Sequence, residues 1–98
     1  MSEARLARTV VVTNPQGLHA RPADLFVKLA TRFASRVEIV KDRERVDGKS
    51  ILAILTLAAA EGTKLSIEAE GPDAAEALEA LVALVEHDFA ENENSHPS

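Results

Sequence analysis

Lys64-Leu65-Ser66-Ile67-Glu68-Ala69-Glu70, closed by Gly71-Pro72, is the stretch on which the fold turns. Leu65, Ile67 and Ala69 alternate with Lys64, Ser66, Glu68 and Glu70, and successive side chains of a strand point to opposite faces. The spacing predicts a strand with one side in a core and the other in water. Just downstream, Asp73 and Glu76 are spaced as a capping box, and Leu78, Leu81, Val82, Val85 and Phe89 form one stripe, predicting a helix over about 74–89. Upstream, Ser50 is placed as an N-cap for a helix over Ile51 to Ala59. Its apolar residues Ile51, Leu52, Ile54, Leu55 and Leu57 cover more than one face, so some are expected at the surface.

Further towards the start, Arg36 to Val40 alternates as a strand and leads towards Arg45-Val46 in a hairpin. Its tip falls at Asp42-Arg43-Glu44 or at Asp47-Gly48, and the pattern alone supports either. Leu6 to Thr13 reads as a strand, with Leu6, Val10 and Val12 on one side despite Arg8. Asn14-Pro15-Gln16-Gly17 breaks it. Ala23, Phe26, Val27, Ala30 and Phe33 then recur at helical spacing over Ala20 to Ala34, with Pro22 in the first turn. The order is strand, helix, strand, strand, helix, strand, helix. It predicts an α+β open-faced sandwich, βαββαβα, with a four-stranded, largely antiparallel sheet and three helices on one face. Residues 1–90 are expected to form the domain and 91–98 a disordered acidic tail.

Ninety-eight residues with 46% hydrophobic content and a net charge of −5 describe one domain. The absence of cysteine excludes disulfides, thiolate zinc sites and thiol catalysis, and agrees with a cytoplasmic location. Met1-Ser2-Glu3-Ala4-Arg5 leads into a strand rather than an apolar leader, and no apolar run approaches a bilayer's width, so no signal peptide and no membrane insertion are expected. Residues 1–50 carry 10 basic against 6 acidic side chains, a balance of +4, and residues 51–98 carry 1 against 10, a balance of −9. With three Phe and no Tyr or Trp, the chain lacks what nucleic-acid binding requires. The asymmetry fits a basic face meeting an acidic protein, and it fits equally an acidic helix kept in solution.

His19 stands immediately before a helix start, where backbone amides have no intrahelical partner and the helix dipole is positive. Arg21 adds a guanidinium two residues on, so an anion carried on the imidazole is cradled. Imidazole attacks electrophilic centres covalently, and a phosphoryl group is the natural cargo. No acid–base triad and no glycine-rich nucleotide loop accompany it, which points to holding a group rather than turning over a substrate, and to no cofactor. His87 and His96 have no metal-ligand company, and no metal site is expected.

Gly17-Leu18-His19-Ala20-Arg21-Pro22-Ala23 resembles the active-site signature of the HPr family, the histidine-containing phosphocarriers of the phosphoenolpyruvate:sugar phosphotransferase system. Gly48-Lys49-Ser50-Ile51, with Leu52, Ile54, Leu55 and Leu57 behind it, resembles the family's regulatory serine segment. The resemblance spans nearly the whole ordered chain and implies the same HPr-like βαββαβα sandwich. It implies that His19 accepts the phosphoryl group on Nδ1, that Arg21 and the first-turn amides contact its oxygens, and that the protein is a carrier and not an enzyme. It further implies enzyme I, charged by phosphoenolpyruvate, as donor and EIIA-type domains or their nitrogen-branch counterparts as acceptors. Ser50 resembles the target of an HPr kinase/phosphorylase, where added charge at a helix start would spoil docking rather than the fold.

The exposed parts of Ile51, Leu52 and Leu55 are expected to form the docking surface, rimmed by Lys28, Arg32 and Lys49. Asp24 departs from the neutral or basic residue expected beside the signature and bears on the choice of partner, and the acidic tail is also atypical. A regulatory binding module governed by Ser50 is the alternative from another class. A monomer is expected, because every apolar stripe except the patch on the second helix finds a partner within the fold.

Overall fold

A computed structural model describes residues 5–90. The elements follow the expected order: β1 (Arg5–Val11), α1 (Ala20–Ala30), β2 (Arg36–Lys41), β3 (Glu44–Asp47), α2 (Ile51–Thr56), β4 (Lys64–Glu70) and α3 (Ala74–Glu86). The four strands form one sheet in the order β1-β4-β2-β3, and each neighbouring pair is antiparallel. β4 therefore lies inside the sheet, with Leu65, Ile67 and Ala69 buried as their alternation requires. The register continues that inner face across the sheet, setting Val10 opposite Leu65, Ile39 opposite Ile67 and Val37 opposite Ala69. Against it the helices bring Phe26 and Ala30 from α1, Ile54 from α2 and Leu78, Leu81, Val82 and Val85 from α3. Each large side chain so buried contributes about 1.5–3 kcal/mol of transfer free energy.

The outer face carries charge. Arg45 Nη1 donates to Glu38 Oε1 at 2.8 Å and to Glu68 Oε1 at 2.5 Å, while Arg5 Nη1 lies 3.2 Å from Glu68 and its Nη2 3.8 Å from Glu70. These bonds, the one to Glu68 foremost, raise the Arg45 guanidinium above its ordinary value. The network crosses all four strands and offsets the repulsion between Glu38 and Glu68, which face each other in the β2–β4 register.

Several boundaries differ from expectation for physical reasons. The hairpin turns at Asp42-Arg43, because Lys41 pairs with Glu44, and Asp42 takes the left-handed conformation at φ 53°. Leu6 shares the inner face yet remains 36% exposed, because β1 is an edge strand that α3 covers incompletely; Val10 and Val12 are buried as expected. α1 ends at Ala30, not Ala34: the Thr31 hydroxyl donates to the Lys28 carbonyl and the chain turns towards buried Ser35. α2 ends at Thr56 and α3 at Glu86, each short of the apolar stripe that suggested it.

Asp73 is the N-cap of α3, but its side chain makes no cap bond and the capping box with Glu76 is not formed. Its carboxylate instead accepts from Ala34 N at 3.0 Å, Ser35 N at 2.9 Å and Ser35 Oγ at 2.6 Å, and its own amide donates to Ser35 Oγ at 3.1 Å. The Ser35 hydroxyl and the Ala34 amide, in that order, hold this carboxyl below the usual carboxylate range. The tail 91–98, with His96, lies outside the described residues. Among the described residues no helix is long and apolar enough to cross a membrane.

Candidate functional site

The site is built where β1 delivers the chain into α1. Val12 N donates to Thr63 O at 2.9 Å and Gly62 N to Val12 O at 2.7 Å, which pins the exit from β1. The chain then closes a turn, with Gly17 N on Asn14 O at 3.0 Å and Asn14 Nδ2 on Gly17 O at 2.7 Å. Gly17 has φ +71°, and a Cβ there would lie 2.4 Å from Ala59 O. Only glycine allows that approach. Leu18 N then donates to Ala59 O at 2.9 Å and its side chain enters the core, which holds the next residue at the surface.

That residue is His19, the N-cap of α1, with extended backbone (φ −92°, ψ −166°) and no side-chain cap bond. Its carbonyl accepts the first helical bond, from Ala23 N at 3.1 Å. Ala20 and Arg21 fill the first turn of α1 directly after His19, and Pro22 brings no amide at all. The half-buried imidazole and the exposed Arg21 line one open cleft of about 260 Å³. Asn14 and Gln16 line it from the loop, and Asp88 and Phe89 from the end of α3. The Thr13 hydroxyl bonds to Asp88 Oδ1 across that junction. The expectations from sequence had no place for this contribution of α3, which joins residues 75 positions apart.

Ser50 caps α2 as expected, its hydroxyl accepting from Ala53 N at 3.1 Å. Gly48 precedes it with its amide on Val37 O at 2.8 Å, and a Cβ there would lie 2.7 Å from Val37 Cγ1. On α2, Ile54 is fully buried, Ile51 and Leu55 are half-buried, and Leu52 is 76% exposed. The apolar patch is therefore centred on Leu52. Of the expected rim, Lys28 is exposed and pairs with Asp24 at 3.2 Å, one turn back along the same helix. Arg32 is exposed. Lys49 is half-buried and spends its ammonium on Phe33 O at 2.8 Å, tying the segment before α2 to the turn after α1. His87 Nδ1 hydrogen-bonds to Ala83 O at 2.7 Å at the end of α3.

A family model described as the PTS HPr component phosphorylation site matches residues 6–87. The phosphocarrier protein HPr of Neisseria meningitidis serogroup A is 42% identical over 88 residues, covering 90% of this chain and 99% of that protein. Among solved structures, HPr of Thermoanaerobacter tengcongensis superposes with a TM-score of 0.84 at 42% identity, over 89% of this chain and 98% of its own. A dimer of HPr from the same organism superposes with a TM-score of 0.71 at 44% identity, over 84% of this chain and 94% of its own.

Proposed function

The chain belongs to the HPr family of phosphotransferase-system phosphocarriers, and on that premise we propose that His19 is the residue on which it carries the phosphoryl group. As a member of that family it is a group carrier and not an enzyme with turnover of its own. The observation that supports His19 is its place as an uncapped N-cap, sharing one open cleft with Arg21. The Nδ1 lone pair attacks phosphorus; the new N–P bond forms as the bond from phosphorus to the donor breaks, and that electron pair stays with the donor. Arg21 and the first-turn amides of α1 face the phosphoryl oxygens and stabilise their charge. The cleft is shallow and open, which suits a group that must be handed on.

Enzyme I, charged by phosphoenolpyruvate, is the donor in this reading, and EIIA-type domains of the sugar or nitrogen branch are the acceptors. Both dock on Leu52 and the exposed flanks of Ile51 and Leu55, with Lys28 and Arg32 as the basic rim. Lys49 contributes by holding the patch in place through Phe33. Ser50, at the edge of the same patch, is the regulatory position for a kinase. The carrier works as a monomer, which light scattering at micromolar concentration tests against the dimer known for its relative.

The deciding experiment is phosphoryl transfer from phosphoenolpyruvate through enzyme I, read by intact mass and acid lability. Wild type gains one acid-labile phosphate and His19→Ala none. Labelling of His19→Ala, or none of wild type while enzyme I labels itself, overturns the assignment.

A further inference from the structure

The turn before α1 is tied to His19 through one carbonyl. The Gly17 oxygen accepts from two donors, Asn14 Nδ2 at 2.7 Å and the amide of His19 itself at 3.0 Å. Between them, Leu18 N is held on Ala59 O at 2.9 Å. Of these three bonds the first is made by a side chain, and it bears on the carbonyl that His19 also holds. Asn14 lines the same cleft as His19. Its amide is used on one side: Nδ2 donates, while Oδ1 is buried with no hydrogen-bond partner among the described residues. Turning the amide over would set two acceptor oxygens against each other at 2.7 Å. A buried acceptor left unpaired lowers stability, and an alanine in this place would carry no such atom. Stability alone therefore does not favour an amide here, yet its donor is kept and aimed at the Gly17 carbonyl.

Resting on the reading of His19 as phosphoacceptor, we propose that Asn14 is a positioning residue for the transfer step, acting on His19 through the Gly17 carbonyl. A bond to that carbonyl restricts rotation of the peptide between Gly17 and Leu18, and Gly17, at φ +71° with no Cβ, is otherwise free to turn. His19 follows one residue later, so the Asn14 bond holds the direction in which its imidazole enters the cleft. Asn14 exchanges no proton and no electron pair: the N–P bond at His19 forms as the donor's bond to phosphorus breaks, whatever stands at residue 14. Its effect is on how often the ring lies in line with that bond. It therefore acts on the rate of transfer in both directions and leaves the final ratio of phosphorylated to free carrier as it was. Docking is untouched as well, because the docking patch of this reading lies on α2, around Leu52.

Phosphorylated enzyme I is mixed with the carrier in a rapid-quench experiment, and varying the carrier concentration separates the maximal rate of transfer from the half-saturating concentration. Asn14→Ala is expected to lower the maximal rate about tenfold, with the half-saturating concentration within about twofold of wild type. The final phosphorylated-to-free ratio, read by intact mass at a fixed phosphoenolpyruvate-to-pyruvate ratio, is expected to stay within about twofold as well. The Tm of Asn14→Ala is expected to fall by no more than about 4 °C or to rise, since loss of the bond is offset by removal of the unpaired oxygen. Asn14→Ser, which keeps a donor on a shorter side chain, is expected to recover the rate to within about threefold of wild type. A maximal rate for Asn14→Ala equal to wild type overturns the proposal. So does slowed transfer that comes with a Tm loss of more than about 4 °C, which would make Asn14 a structural tie, and so does equal slowing of Asn14→Ser and Asn14→Ala. Labelling of His19→Ala would instead remove the reading on which the proposal rests.

Discussion

The starts of α1 and α2 are made from the same backbone geometry and put to opposite uses. Both N-caps are extended residues, His19 at φ −92° and Ser50 at φ −125°, and both carbonyls accept the first helical bond. Ser50 turns its hydroxyl onto Ala53 N and satisfies its helix from within. His19 makes no such bond, and it lines the open cleft instead. α3 takes a third course, in which its N-cap Asp73 reaches across to residues 34 and 35. A helix start is thus a small supply of hydrogen-bond donors, and the cap residue decides whether its own side chain takes one of them.

The comparison breaks most sharply at His19. His19→Ala is expected to abolish phosphate acceptance altogether while moving Tm by no more than about 2 °C, since no cap bond is lost. A large loss of Tm would mean that the imidazole is a structural cap after all. Gly17→Ala comes next: a Cβ 2.4 Å from Ala59 O at φ +71° is expected to destabilise the fold by about 2–4 kcal/mol and lower Tm by about 10–20 °C. Calorimetry that finds the variant unchanged would show that the loop can slide away from Ala59.

At α2, Ser50→Ala is expected to cost about 1 kcal/mol, or about 4–8 °C in Tm, with its phosphoryl acceptance intact below the transition. Ser50→Asp sharpens the contrast, because aspartate caps as well as serine but adds charge beside Leu52. Its Tm is expected to stay near wild type while transfer from enzyme I slows by about tenfold. Unaltered transfer would move the docking surface away from α2.

The smallest effect is at α3. The Asp73 carboxyl is held below its ordinary range in the folded state, so it contributes stability above the unfolded value and loses that contribution as pH falls through the folded one. Asp73→Asn should lie below wild type in Tm at about pH 6 and approach it below about pH 3. Parallel curves would mean that the carboxylate's charge is irrelevant to the clasp on Ser35.

What was legible in the chain was local. The alternation around Ile67, the breaker at Asn14-Pro15-Gln16-Gly17 and Pro22 just inside α1 each carry their own period or turn chemistry, and the architecture and the place of His19 followed from them. Ser50 was readable as a cap for the same reason. The contacts made over distance left no local trace. Asp73 had the spacing of a capping box, yet residues 38 and 39 positions away offered its carboxylate three donors. Lys49 was legible as a cation, but its hold on Phe33 depends on how α1 ends. Asp88 looked like one more acid on a solvated helix, and only the meeting of α3 with the β1–α1 loop makes it part of the cleft.

The charged outer face of the sheet offers a practical opening. Thr9 lies on that face, exposed and paired in register with Ser66, on the side of the sheet turned away from the helices and from His19. The chain contains no cysteine, so Thr9→Cys creates a single thiol, and a fluorophore or a surface linker attached there leaves the opposite side unobstructed. Immobilised in that orientation, the molecule presents α1, α2 and the cleft to solution, and the binding of a partner can be followed in real time without labelling the partner.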